Sequence, residues 1–204
     1  MRFCKKVGYS GYNEFKFDCI KYVNSINNIV DENASTPLIT SIGKVSNLYS
    51  DIIKLMEKVV DEKEILKLVE QIKVAKRIRA VGVVNSSLAC LQLRYAFLMF
   101  GIEISVVQSL EELKTIDLML KEDDLTIIFS VSAKHDIVHK AIELTKNSNG
   151  TLSIITMNSE SKHKEIADSF IVLPSVSNLK NQSLLDSVPI FSVFIEILIF
   201  YYSA

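Results

Sequence analysis

From residue 78 onward, short apolar runs alternate with stretches of helical periodicity, and this alternation restricts the possible folds more than any other feature of the chain. Apolar runs typical of strands occupy residues 78–84, 103–107, 125–131, 152–157 and 170–173. Helical patterns occupy residues 87–100, 110–120, 136–146, 162–169 and about 184–202. Five such units predict an α/β fold with a mostly parallel five-stranded sheet and helices on both of its faces.

The N-terminal third has a different organisation. Residues 1–30 are predicted to form a small helical unit, and the polar stretch 31–43, which contains Pro37 and Gly43, is the best linker candidate. Helical periodicity returns at residues 44–60 and 64–75. Gly101 and Gly150 stand where C-terminal helix caps are expected.

Composition restricts the class of protein. The chain has 204 residues, 49% of them hydrophobic, and a net charge of -1, which suits one main globular domain with an appendage and no broad nucleic-acid surface. Its three cysteines are scattered and odd in number, so we expect reduced thiols in a cytoplasmic protein. The N-terminus has no apolar signal-peptide core. The apolar run 188–202 is shorter than a typical membrane-spanning helix, so we expect it to form a buried helix.

Two serine-bearing loops follow predicted strands. The first is residues 82–87, GVVNSS, and the second is residues 130–136, SVSAKHD. Both lie at strand carboxyl ends and lead into helix N-termini, which attract anions such as phosphate. We therefore predict ligand contacts from Ser86, Ser87, Ser130 and Ser132. The alternative is that Ser86, Ser87, Ser132 or Asp136 caps a helix and that Ser130 bonds to backbone.

The three histidines add possible chemistry. His135 and His139 are four residues apart, a spacing that places both imidazoles on one helix face. No third ligand has an evident spacing, so we expect no metal site and no other cofactor. His135 alone could contact a sugar or phosphate, or act as a general acid or base. His163 lies in a charged stretch and is predicted to be solvated.

Residues 65–204 resemble the SIS (sugar isomerase) domain, a three-layer αβα fold that binds phosphosugars. The matching pieces are Gly82, Ser86 and Ser87 in the first loop and the segment 130–132 in the second. The second family motif is approximately S-x-S-G-x-T. Here Ala133 replaces the glycine, His135 replaces the threonine, and Val84 stands where another glycine is usual. The resemblance implies a sugar phosphate bound by Ser86, Ser87, Ser130, Ser132 and His135.

The segment 2–16, RFCKKVGYSGYNEFK, is similar to the end of the helix-turn-helix domain of RpiR/MurR-type transcriptional regulators. This resemblance implies that Arg2, Lys5 and Lys6 lie near the DNA backbone and that the chain begins inside a truncated recognition helix. It implies three parts: a helix-turn-helix remnant at 1–30, a linker at 31–63 and a SIS domain at 64–204. It also implies a homodimer or homotetramer that binds operator DNA if the helix-turn-helix is complete, and no enzymatic activity.

Two other functions remain open. One is an aldose–ketose isomerase for phosphosugars, with His135 and Glu196 as the available acid and base. The other is a degenerate SIS module that assembles without binding a ligand, an interpretation based on the changes at Val84, Ala133 and His135.

Overall fold

The structure, a computed structural model, describes residues 36–117, 120–175 and 186–204, together with the single residue 15. The chain divides into two compact units, Met1–Leu48 and Tyr49–Ala204, and the sheet lies in the second. The predicted domain boundaries at residues 30/31 and 63/64 remain predictions. Within the described residues, no helix has the length and apolar character needed to cross a membrane.

Five strands form the sheet, and each falls on a predicted one. Their order is β2-β1-β3-β4-β5, and every neighbouring pair is parallel. All seven residues of the third strand are buried, because a parallel sheet is covered on both faces and its central strands meet no water. The strands are β1 Arg77–Val81, β2 Ile104–Val107, β3 Asp124–Ser130, β4 Thr151–Thr156 and β5 Ser169–Val172.

Helices cover both faces and complete the predicted three-layer fold. One core contains apolar side chains of α1, α2, α3 and α6, and it includes Phe129 of β3, whose ring lies edge-on to Phe191 at 5.4 Å between centroids. The core on the opposite face contains side chains of α4 and α5. The helices are α1 Pro37–Val59, α2 Glu62–Val74, α3 Asn85–Leu98, α4 Leu110–Asp117, α5 Asp136–Asn147 and α6 Val188–Ser203.

The predicted linker at 31–43 is wrong from residue 37 onward, where α1 begins. Pro37 occupies the first helical position, where its fixed φ suits the helix and its missing N–H is not needed. The hydroxyl of Thr36 accepts a hydrogen bond from the N–H of Ile39 at 3.3 Å, an N-terminal cap. Residues 31–35 lie outside the described part of the chain.

Other predicted boundaries also need correction. The predicted helix at 162–169 is only a short 3₁₀ helix, Lys162–Glu165, because β5 already begins at Ser169. Gly101 has a φ of 74° and its N–H donates to the carbonyl of Leu98, as predicted for a helix end. At the end of α5, the left-handed residue is Asn149, with a φ of 56°, rather than Gly150.

A buried ion pair lies at the amino ends of β1 and β3. Asp124 is 1% exposed, and its carboxylate accepts hydrogen bonds of 2.9 Å from both Arg77 and Arg79 and one of 3.0 Å from the amide of Lys121. Burial alone would raise the pKa of Asp124, but these hydrogen bonds outweigh it and hold the pKa below its ordinary value. This end of the sheet is opposite the serine-bearing loops.

Candidate functional site

The two serine-bearing loops lie side by side at the carboxyl edge of the sheet. β1 and β3 are neighbours, and Val81, the last residue of β1, pairs with Ile128. The chain leaves β1 towards β2 on one side and leaves β3 towards β4 on the other. The strand order therefore reverses between β1 and β3, and in open α/β sheets this reversal creates the ligand-binding crevice.

The first loop has a restricted backbone. A Cβ atom on Gly82 would lie 2.7 Å from the carbonyl oxygen of Ser86, so only glycine fits without a local shift. Val84 precedes α3 with φ 50° and ψ −122°, and its side chain is 81% exposed. A β-branched residue rarely adopts such a conformation, so the loop is strained at Val84.

The alternative interpretation, in which Ser86 or Ser87 caps the helix, is wrong. Val84 is the N-cap residue, and no side chain forms a cap hydrogen bond there. The hydroxyl of Ser87 donates instead to the carbonyl of Val84 at 2.6 Å. Ser86 and Ser87 are each 8% exposed, so both lie beneath the loop surface beside an uncapped helix start.

The second loop turns at Ala133. Its N–H donates to the hydroxyl oxygen of Ser130 at 3.0 Å, and Ser130 is 3% exposed. The φ of Ala133 is 56°, a conformation that glycine adopts at no steric cost. The loop thus has the backbone conformation that the family glycine favours, although alanine occupies the position.

The helix that follows the second loop also starts without a side-chain cap. Its N-cap residue is His135, which makes no cap hydrogen bond through its imidazole, so the predicted capping by Ser132 or Asp136 is wrong. Ser132 is half-buried and His135 is exposed. The N-terminus of α5 therefore adds a partial positive charge at the crevice.

Two side chains at the end of β4 hold the second loop, and sequence reasoning missed both. The hydroxyl of Thr156 donates to the carbonyl of Val131 at 3.1 Å. The amide of Asn158 donates to the carbonyl of Ser132 at 2.9 Å. The available signal was their position directly at the predicted carboxyl end of a strand next to β3.

A third missed residue, Asp186, connects α6 to the first loop. Its carboxylate accepts a hydrogen bond from the side-chain amide of Asn85 at 2.8 Å and another from the N–H of Val188 at 3.0 Å. Its backbone carbonyl accepts from the hydroxyl of Tyr49, on α1, at 3.1 Å. Burial and the nearby charge of Asp186 raise the pKa of Tyr49.

One of the three histidines, His163, is placed differently from the prediction. His163 is buried rather than solvated, with 7% exposure, and its ring centroid lies 4.9 Å from that of His139. Burial first, and then the charges of His139 and Lys162, lower the pKa of His163. Among residues 36–117, 120–175 and 186–204, no group of three or more His, Cys, Asp or Glu side chains could hold a metal ion.

The remaining predicted residues lie elsewhere. Arg2, Lys5 and Lys6 are outside the described residues. Glu196 is exposed and lies eight residues into α6, about 12 Å along the axis from the helix start. The start of α6 is the end that approaches the first loop, through Asp186 and Asn85. The structure therefore does not bring Glu196 to the crevice.

Comparison with protein families matches residues 71–201 to the SIS domain. The chain belongs to the SIS-domain family. A relative of known sequence is an uncharacterised HTH-type transcriptional regulator of Clostridium perfringens, 22% identical over 171 residues, or 82% of this chain. The chain spans 61% of the length of that relative.

Two solved structures have the same fold. One is the sugar isomerase domain of an RpiR transcription factor from Sphaerobacter thermophilus, with 20% identity, a TM-score of 0.67, and coverage of 78% of this chain and 88% of that one. The other is the Vibrio vulnificus NanR protein complexed with ManNAc-6P, with 17% identity, a TM-score of 0.69, and coverage of 98% of this chain and 72% of that one. At these identities the likeness shows the fold.

Proposed function

We propose that this chain is the effector-sensing part of an RpiR-type transcriptional regulator, in the cytoplasm, that binds a sugar phosphate. The ligand lies in the crevice between the first and second loops, in contact with Ser86, Ser87, Ser130, Ser132 and His135. Similarity to an HTH-type regulator and to NanR, whose structure holds ManNAc-6P, supports the regulatory role and the ligand class.

One observation carries this proposal. Two helices that lack side-chain caps, α3 and α5, begin side by side where the strand order reverses between β1 and β3. The N-termini of α3 and α5 both lack a side-chain cap, so their partial positive charges remain available to an anion. Serine hydroxyls stand beside each helix start and match the acceptor oxygens of a phosphate.

The departures from the family motif are compatible with this site. Val84 and Ala133 both keep positive φ angles, so each loop follows a path that glycine would follow. The replacement of threonine by His135 changes the side-chain chemistry that the crevice offers to the ligand, rather than the path of the backbone. An exposed imidazole at a helix start can donate to a phosphate or a sugar hydroxyl.

Asp186 offers a route from the ligand to the rest of the protein. It contacts Asn85 in the first turn of α3 and Tyr49 in α1. A phosphate at the first loop would repel the carboxylate of Asp186 and compete for Asn85, because both are anionic acceptors. Ligand binding would then weaken the connection between Asp186 and Tyr49 of α1. The protein would respond to the ligand if this loss changed the balance between two conformations of the protein.

The DNA-binding role completes the proposal. Arg2, Lys5 and Lys6 would contact the phosphates of operator DNA, supplying affinity rather than base readout. The regulator would act as a homodimer or homotetramer, because two half-sites are read by symmetric proteins. The sugar phosphate would modulate the binding of operator DNA. Equal protection of operator DNA with and without the ligand would contradict the DNA-binding part of the proposal.

The first test is a thermal-shift screen of sugar phosphates that includes ManNAc-6P. A ligand at about a hundred times its dissociation constant adds roughly 2.7 kcal/mol, or about 5 to 10 °C for a domain of this size. We expect a shift with one sugar phosphate, none with its unphosphorylated sugar, and loss of the shift in Ser132→Ala. The matched control is Ser105→Ala, which removes an exposed hydroxyl from the edge strand β2.

The two alternatives make different predictions in the same screen. A degenerate SIS module gives no shift with any sugar phosphate, while folding and assembly stay intact. An isomerase converts a bound ketose phosphate to its aldose, and His135→Ala abolishes this turnover. The distance of Glu196 from the crevice disfavours the isomerase, because proton transfer needs an acid and a base that both reach the substrate.

A further inference from the structure

Away from the crevice, a cavity opens between the end of α1, the start of α2 and the C-terminal half of α6. We call it the three-helix cavity. Its volume is about 510 Å³, within the range of sites that hold drug-sized ligands. It is lined by Ile53, Met56, Glu57, Val60, Glu62, Ile65, Ile197 and Tyr201.

The most buried side chains of the three-helix cavity are apolar. Met56 and Ile65 are 4% and 3% exposed, and both belong to the core beneath α1, α2 and α6. Core side chains are closely packed and keep their rotamers, so this part of the cavity exists before any ligand enters. Ile53 is 39% exposed, so the apolar lining continues to the opening of the cavity.

The charged groups of the three-helix cavity all have the same sign. Glu57 and Glu62 are both exposed, so their carboxylates lie at the opening rather than in the core. The hydroxyl of Tyr201 donates to the carboxylate of Glu62 at 2.8 Å, which places an aromatic ring beside one of the acids. Among the described residues that line the cavity, none is Lys, Arg or His.

We propose that the three-helix cavity binds an organic cation, namely an amine or ammonium group on an apolar aliphatic or aromatic body. The apolar body lies against Met56 and Ile65, where it leaves water. The positive group stays at the opening, where Glu57 and Glu62 attract it. Tyr201 adds the face of a ring, to which cations are also attracted.

Other occupants fit the three-helix cavity less well. A stable protein interface needs roughly 20 to 30 residues a side, and the cavity is lined by only eight. An anion such as a sugar phosphate would be repelled by Glu57 and Glu62. A neutral apolar molecule would gain nothing from either carboxylate, so charge complementarity favours the cation.

This site is separate from the crevice and does not depend on the proposed function. Tyr201 lies 13 residues after Val188, the first residue of α6, or about 20 Å along the helix axis. The start of α6 is the end that approaches the first loop. Ile53, however, lies one turn after Tyr49 in α1, and Tyr49 contacts Asp186. A cation in the cavity would therefore contact α1 close to the connection that leads from the crevice.

The experiment follows the methyl signal of Met56 by NMR in the whole chain, labelled at its methionine methyl groups. A Met56→Leu variant assigns the signal. The probes are tryptamine, its neutral analogue tryptophol and the anion indoleacetate, which share one indole ring. We expect tryptamine to shift the Met56 signal saturably, with a dissociation constant on the order of 1 mM. Tryptophol should bind about tenfold more weakly, and indoleacetate should give no shift.

A variant separates the effect of charge from that of the apolar lining. Glu57→Gln/Glu62→Gln should weaken the binding of tryptamine about tenfold and leave the binding of tryptophol unchanged. The matched control is Glu70→Gln, which removes an exposed carboxylate of α2 outside the cavity and should change neither affinity. The comparison of tryptamine with tryptophol in the wild-type chain tests the same point without any variant.

Three results would overturn the proposal. The first is a Met56 signal that none of the three probes shifts. The second is equal affinity of the wild-type chain for tryptamine and tryptophol, which would mean that the two carboxylates do not select a cation. The third is a Met56 signal that changes when the protein is diluted without a probe, which would mean that a second copy of the chain fills the cavity.

Discussion

Two residues at the crevice, Val84 and Ala133, adopt backbone conformations that favour glycine, with φ angles of 50° and 56°. A non-glycine residue with positive φ costs roughly 1–2 kcal/mol, and a β-branched residue more than alanine. Glycine removes this strain but increases the entropy of the unfolded chain. We therefore expect Val84→Gly to raise the free energy of unfolding by about 1 kcal/mol, measured by urea denaturation.

The matched control is Val131→Gly, at a half-exposed valine in the second loop that is not among the residues with positive φ. At Val131 glycine relieves no backbone strain, so the free energy of unfolding should fall by about 0.5–1 kcal/mol. Equal losses in both variants would show that Val84 is not strained. A stabilised Val84→Gly would show that the natural chain retains strain at its candidate site.

Asn158 is expected to position the second loop through its 2.9 Å hydrogen bond to the carbonyl of Ser132. Loss of one such bond costs about 1 kcal/mol. Asn158→Ala should therefore weaken binding of the sugar phosphate found in the thermal screen about fivefold, as measured by calorimetry. Asn147→Ala removes an exposed amide from the far end of α5 and should not change the affinity. Equal affinities for both variants would exclude this role of Asn158.

Between elements, the start of α6 places a negative charge beside the start of α3, through Asp186 and Asn85. This carboxylate opposes an anion at the first loop. Asp186→Asn removes the charge and keeps a side-chain oxygen that can accept from the N–H of Val188, so this hydrogen bond at the start of α6 should remain. We expect affinity for the sugar phosphate to increase about two- to fivefold at low salt, in line with helix-terminus charge effects of 0.3–1 kcal/mol.

This gain should shrink as ionic strength rises, because salt screens charges near the surface. Asp51→Asn is the control, since it removes the same charge from an exposed position on α1. If both substitutions changed the affinity equally, the effect would come from net charge rather than from the contact between Asp186 and Asn85.

The strands could be predicted from the sequence because burial on both faces leaves continuous apolar runs, as in the fully buried β3. The ends of the helices and strands were harder to predict. Pro37 indicated a linker but fits the first turn of α1, and the short 3₁₀ helix at Lys162–Glu165 has no periodicity of its own. The crevice could be located from the loops that follow β1 and β3. Its supports, Asn158 and Asp186, could not, because their contacts cross 26 and 101 residues of sequence.

At the scale of the whole molecule, two buried titratable groups separate the pH dependence of stability into two ranges. The pKa of Asp124 is lowered in the folded protein, so its contribution is complete above its unfolded pKa of about 3.9 and is lost as the pH falls through the lowered value. The pKa of His163 is also lowered. Its unfolded pKa is about 6.5, so its effect begins at a higher pH than that of Asp124.

For His163 the unfolded chain binds a proton more readily than the folded protein does. Stability is therefore complete above about pH 6.5 and is lost as the pH falls through the lowered folded pKa. His163→Gln keeps a polar side chain that cannot be protonated, so its unfolding free energy should change less with pH in this range. Urea denaturation at a series of pH values measures the slope, and His135→Gln is the matched control at an exposed histidine. Parallel curves for all three proteins would mean that neither the burial of His163 nor its contact with His139 opposes its protonation.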